Sequence, residues 1–189
     1  MGYHDYWDKI IGISNELSSV NVSYWSQYSH MGTWQFWVIL GLMICPLILL
    51  FFTVDRFRIF EIFFFGFIVH LLWAYIDIAL TRETYLIHTY FIIPLFPFAL
   101  SVTASALPVG FILLYQYCTN RNKNFYLHTI WLSVMFAYVF ASFEEILGLL
   151  ELRKGLLKYH LFLIDIAVAY IAFLATKLIL KLKQRETNK

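Results

Sequence analysis

The sequence predicts an all-α integral membrane protein with five transmembrane helices, an N-terminal amphipathic interfacial helix and a proline-broken segment before the third span. Three observations predict it. Of 189 residues, 61% are hydrophobic and only 14% charged, against about 25% charged in an ordinary soluble domain. Several windows hold about 20 mostly apolar residues, the helix length that crosses a hydrocarbon core of roughly 30 Å. Their apolarity is continuous, without the period-two alternation of a membrane β-barrel. A net charge of +2 is too small to suggest nucleic acid as a partner, so the partner that composition implies is the lipid bilayer. Cys45 and Cys118 lie in or beside apolar runs without CxxC or CxxxH spacing, which argues against a disulfide framework or a zinc site.

Residues 1–32 read as an interfacial segment. Asp5, Asp8 and Lys9 stand where a cleavable signal would carry a basic start. Tyr3, Trp7, Ile10, Ile11 and Leu17 fall near helical spacing while Asp5, Asp8, Lys9 and Glu16 take other faces, the pattern of a helix lying along a membrane surface. A loosely ordered tail is the alternative. Tyr24, Trp25 and Tyr28 then supply the amphipathic rings expected at headgroup level.

The five-span domain covers residues 33–181. Span one, 33–54, contains Pro46, which removes one helical hydrogen bond and marks a candidate kink. Asp55 suits the N-cap of the next helix, and Arg58 and Glu61, three apart, can pair on its first turn. Span two, 57–80, ends in a polar turn at Thr81-Arg82-Glu83-Thr84. The next apolar region, residues 85–118, would reach about 50 Å as one helix, well beyond a hydrocarbon core. Pro94 and Pro97 are its natural break, because proline disfavours helix at and before its own position. Residues 85–98 therefore read as a broken interfacial or partly re-entrant segment, and 99–118 as span three. Small residues from Ser101 to Ala106 suit close helix packing there, Pro108 is a second candidate kink, and Tyr115 and Tyr117 suit interfacial anchoring. Span four is 125–147, a turn comes at Glu151–Gly155, span five is 157–176, and residues 182–189 form a basic tail.

Five spans put the termini on opposite sides. With the C-terminus in the cytoplasm, nine of the fourteen Lys and Arg residues fall inside, the arrangement that the positive-inside rule favours. This orientation gathers the ionisable residues of the spans in one layer of the outer half: His70 and Asp77 on span two, Glu144 and Glu145 on span four, His160 and Asp165 on span five. His70 and Asp77 are seven apart, so they share one helix side about 10 Å apart along the axis. A charge within the bilayer costs about 2.5 to 3.5 kcal/mol on insertion scales and normally faces protein or water. The layer thus points to binding of a proton, a cation or a small polar solute, for sensing or permeation. Two alternatives stay open. A structural role would leave these groups wetted or paired at the interface, with a second copy or an envelope protein as partner. A metal-dependent enzyme would use carboxylates and His as ligands. No HExxH, Gly-rich phosphate loop or GxSxG motif is present, so no cofactor or catalytic residue is implied.

The run Val54-Asp55-Arg56-Phe57-Arg58-Ile59-Phe60-Glu61-Ile62, then His70, Tyr75-Ile76-Asp77, Ile93-Pro94 with Pro97, Pro108, Leu114-Tyr115-Gln116-Tyr117 and Asn124-Phe125-Tyr126, resembles a family of small uncharacterised multi-pass membrane proteins of endospore-forming Firmicutes. The resemblance covers residues 37–176. It implies a helical fold in a bacterial plasma membrane, brings a role in the cell or spore envelope into view, and supplies no catalytic residue.

Overall fold

A computed structural model describes residues 2–94 and 100–187. Five helices are long and apolar enough to cross a membrane: Trp34–Thr53, Arg56–Arg82, Val102–Asn120, Phe125–Ile146 and Lys158–Gln184. Their bounds lie close to the expected spans except at the last, where helix α7 (Lys158–Thr187) carries the basic tail on as regular helix. Ala99, the expected start of span three, and Pro97 lie outside the described residues.

Helix α3 (Ile59–Arg82) is the centre of the bundle and packs against α4 (Leu107–Asn120) and α7. Its buried residues Ile62, Phe65, Val69, Trp73 and Asp77 succeed one another at three- and four-residue steps, which makes them a single inward stripe. A carboxylate thus continues the apolar stripe. The same happens on α7, where Leu161, Asp165, Val168, Ala172 and Phe173 are buried. Near the middle, the ring of Phe65 stacks on Tyr115 with centroids 4.5 Å apart, and Phe125 stacks on Phe173 at 4.2 Å. Gly66 allows α3 and α4 to meet: a Cβ there would lie 2.2 Å from Cδ1 of Ile112.

At the N-terminal side, α1 (Tyr3–Tyr24) is helical and buries none of its residues. The residues at its C-terminal end are anchored. The Tyr24 hydroxyl donates to the Thr89 carbonyl at 2.9 Å, Trp25 Nε1 to the Ile92 carbonyl at 3.2 Å, and Ser29 Oγ both donates to the Phe91 carbonyl and accepts from the Phe91 N–H, each at 2.9 Å. The first helix both long and apolar enough to cross a membrane, α2 (Trp34–Thr53), then packs against the small-residue π-helical turn Val102–Ala106, which runs on into α4, and against α4 itself.

Two expectations are corrected at the ends of the helices. The segment after α3 is not simply broken helix: Leu86–His88 forms strand β1, antiparallel to β2 (Leu150–Leu152), with His88 opposite Leu150. The stretch read as a plain turn after span four therefore contains the partner strand. Ile87, Thr89, Tyr90 and the run up to Pro94 favour extended backbone, and pairing with β2 satisfies backbone amides that would otherwise lack partners. Gly148 and Gly155 flank β2 at φ of 69° and 79°, left-handed conformations that cost glycine little. The second correction concerns Tyr115, which is no interfacial anchor. It is 1% exposed, and its hydroxyl donates to Glu61.

Candidate functional site

The two-stranded sheet closes one end of the bundle, and beneath it lies a cavity of about 50 Å³. That exceeds the roughly 10–15 Å³ that a cavity needs to hold a water. Its polar lining is Asp77 from α3, His88 from β1, Glu144 from α6 (Ala141–Ile146), Asp165 from α7, Trp73 and Thr103; the remaining wall is apolar. Asp77, Glu144 and Asp165 are 1%, 6% and 2% exposed.

Each carboxylate reaches the cavity for a local reason. Asp77 and Asp165 occupy inward positions of their helices. Glu144 and Glu145 are neighbours about 100° apart around the axis, so when one faces in, the other cannot. Glu144 turns in, and Glu145 turns to Lys158, whose Nζ lies 2.6 Å from its Oε2. Within the cavity, His88 Nε2 is 2.8 Å from Asp77 Oδ1, with both side chains less than a tenth exposed. Trp73 Nε1 donates to Asp165 Oδ1 at 3.1 Å. The second oxygen of Asp77 is buried without a hydrogen-bond partner. Glu144 has Asp77 and His88 as its electrostatic neighbours.

Of the six residues placed in the outer layer by sequence, the structure brings together Asp77, Glu144 and Asp165 and sets three elsewhere. Glu145 pairs with Lys158. His160 is exposed at the start of α7, where its Nδ1 accepts the Leu157 N–H at 3.0 Å. His70 lies two turns below Asp77, with Nδ1 2.9 Å from the Thr103 carbonyl, and so joins α3 to the small-residue turn rather than lining the cavity. Sequence reasoning missed His88 and Trp73. His88 stands in the extended segment, where the only signal was an imidazole within an otherwise apolar run. Trp73 carried no signal beyond its four-residue spacing from Asp77.

The loop group forms a second cluster at the other end of the bundle. Asp55 Oδ1 accepts from the Phe57 N–H at 3.0 Å, as the expected N-cap would, and Arg58 forms a two-pronged ion pair with Glu61. Arg58 Nη1 also donates to Thr119 Oγ1 at 3.0 Å, and Gln116 bridges the Asp55 N–H at 2.8 Å and the Thr53 carbonyl at 2.9 Å. Arg58 and Glu61 answer each other's charge, which makes the cluster a clasp between α3 and α4. The cavity is different, because no Lys or Arg among the described residues lines it. Among the described residues, no group of three or more His, Cys, Asp and Glu side chains is placed to hold a metal ion.

No protein family matches the chain, and neither does any curated protein or solved structure.

Proposed function

We propose that this chain is an integral membrane protein whose acidic cavity binds a proton or a small monovalent cation, and that this occupancy serves sensing or permeation. The observation that carries the reading is a charge imbalance. Three buried carboxylates share the cavity with one imidazole, the only group among the described lining residues that can become a cation. Even with His88 charged, full ionisation would leave excess negative charge in a low-dielectric site, which neutralises by taking up protons or pairing with a cation. The unpartnered Asp77 Oδ2 supplies an acceptor for such a guest. The small volume supports a proton with water, or a bare monovalent ion, over a larger solute. With the basic turns and tail inside, the cavity faces the outer leaflet and α1 lies on the outer surface. A bacterial plasma membrane as the location rests on the family resemblance.

The test is thermal melting of the purified full chain in detergent across pH and across sodium, potassium and ammonium chloride at fixed ionic strength. A ligand that binds only the folded state at about 100 times its Kd adds about 2.7 kcal/mol, or several degrees in Tm for a chain of this size. Such a rise is expected with protons or with one of these cations, and it should disappear in the Asp77→Asn, Glu144→Gln double variant. A melting curve indifferent to all of them, or an unchanged response in the double variant, leaves the carboxylates as structural groups and favours an assembly role.

A further inference from the structure

At the end of the bundle opposite the acidic cavity, a wider and fully separate pocket of about 580 Å³ opens between the Asn120–Asn124 turn, the start of α5 (Phe125–Val134) and the C-terminal half of α7. Its size falls in the range of small-molecule sites. Two elements far apart in sequence each send one lysine into it: Lys123 from the turn and Lys177 from α7. The turn presents Lys123 because Asn122 takes a left-handed backbone, φ 50°, and the Lys123 N–H is tied to the Cys118 carbonyl at 2.9 Å. Lys177 is held in place from below, with Nζ 4.4 Å from the centroid of the Phe173 ring. Among the described residues, no Asp or Glu lines the pocket and none lies within ion-pair distance of either lysine. Asn122, Asn124 and Thr119 add neutral polar groups, and the stacked Phe125 and Phe173 with Tyr126 make an aromatic wall.

The geometry points to a binding site for a phosphate-bearing anion, with the headgroup of an anionic phospholipid as the source that fits best. Two ammonium groups without a carboxylate partner among the described residues, over a concave polar floor, attract a phosphate, for which lysine acts as a point charge. The aromatic wall gives the glycerol end of a lipid an apolar seat. On the orientation proposed above the pocket opens at the cytoplasmic leaflet, where basic pockets between helices hold lipid headgroups and each Lys near the surface contributes about 1 kcal/mol. The inference needs the chain to lie in a bilayer and is independent of what the acidic cavity binds.

The experiment measures lipid binding to the purified full chain by native mass spectrometry, with phosphatidylglycerol and phosphatidylcholine of identical acyl chains, and with inorganic phosphate as competitor. Wild type is expected to prefer phosphatidylglycerol. The preference should fall about fivefold for each of Lys123→Gln and Lys177→Gln, and vanish in the double variant, while Lys154→Gln at the opposite end leaves it intact. Both lysines are exposed, so an unchanged Tm without lipid checks that the variants fold. Competition by inorganic phosphate, lost in the double variant, would keep the anion site and assign it to a soluble phosphate. A double variant that keeps the lipid preference, or a wild type that distinguishes neither lipid nor phosphate, overturns the site. Neither result bears on the cation dependence of melting, so the two readings fail separately.

Discussion

The buried Asp77–His88 contact joins a helix long and apolar enough to cross a membrane to a three-residue strand, and among the described residues it is the one place where the acidic cavity has a titratable partner of opposite sign. Removing His88 strands a carboxylate already short of one donor. His88→Ala should therefore cost about 3 to 5 kcal/mol, the range for breaking a buried pair from one side, read as a fall in denaturation midpoint. Asp77→Asn removes a charge from an overcharged site while keeping a polar partner for the imidazole, and should cost less than about 1 kcal/mol. Equal losses in the two variants would show that the contact is ordinary packing. Trp73→Phe deletes the indole N–H that reaches Asp165, with an expected loss of about 1 to 3 kcal/mol, much reduced when Asp165 is already replaced by Leu, which offers no acceptor. The carboxylates were legible in the sequence because a charge inside an apolar run has few tolerable positions. Their neighbours were not equally so: depth along a helix says nothing of rotation about it, and that is why Glu145 and His160 share the layer of Glu144 and Asp165 but not their cavity.

At the scale of elements, the helices arise from apolar length and from proline and polar punctuation, and their bounds could be read closely. The β1–β2 pair could not, since it depends on two short segments more than 60 residues apart, each too brief to carry a period-two signal. The sheet matters because it places His88 over the cavity and passes the chain on to the residues that anchor Tyr24, Trp25 and Ser29. Close packing of α3 on α4 is equally specific. Gly66→Val would push a branched side chain into Ile112 and should destabilise the bundle by about 1 to 3 kcal/mol, detectable as a lower Tm. Gly12→Ala, on the open face of α1 where nothing lies within 4 Å, should leave Tm unchanged or raise it slightly.

For the whole molecule, the charge distribution is polarised. One end holds an excess of buried carboxylates under a small sheet; the other holds the matched Arg58 clasp and the two lysines of the wider pocket. Five crossings would place α1 and the end of α7 on opposite faces of the membrane. Single cysteines introduced as Gly12→Cys and Lys181→Cys, in a Cys45→Ser, Cys118→Ala background, should label with an impermeant thiol reagent from opposite sides of intact cells, and labelling from one side would refute the five-span arrangement. The cavity is central to the proposed function, and infrared spectroscopy of the carboxyl groups reads it directly. A site that holds a proton should show a carboxylic acid band at neutral pH that Asp77→Asn or Glu144→Gln removes; a site that holds a cation should show carboxylate bands that shift when one monovalent cation replaces another. Three ionised carboxylates whose bands ignore both pH near neutrality and the cation present would contradict both.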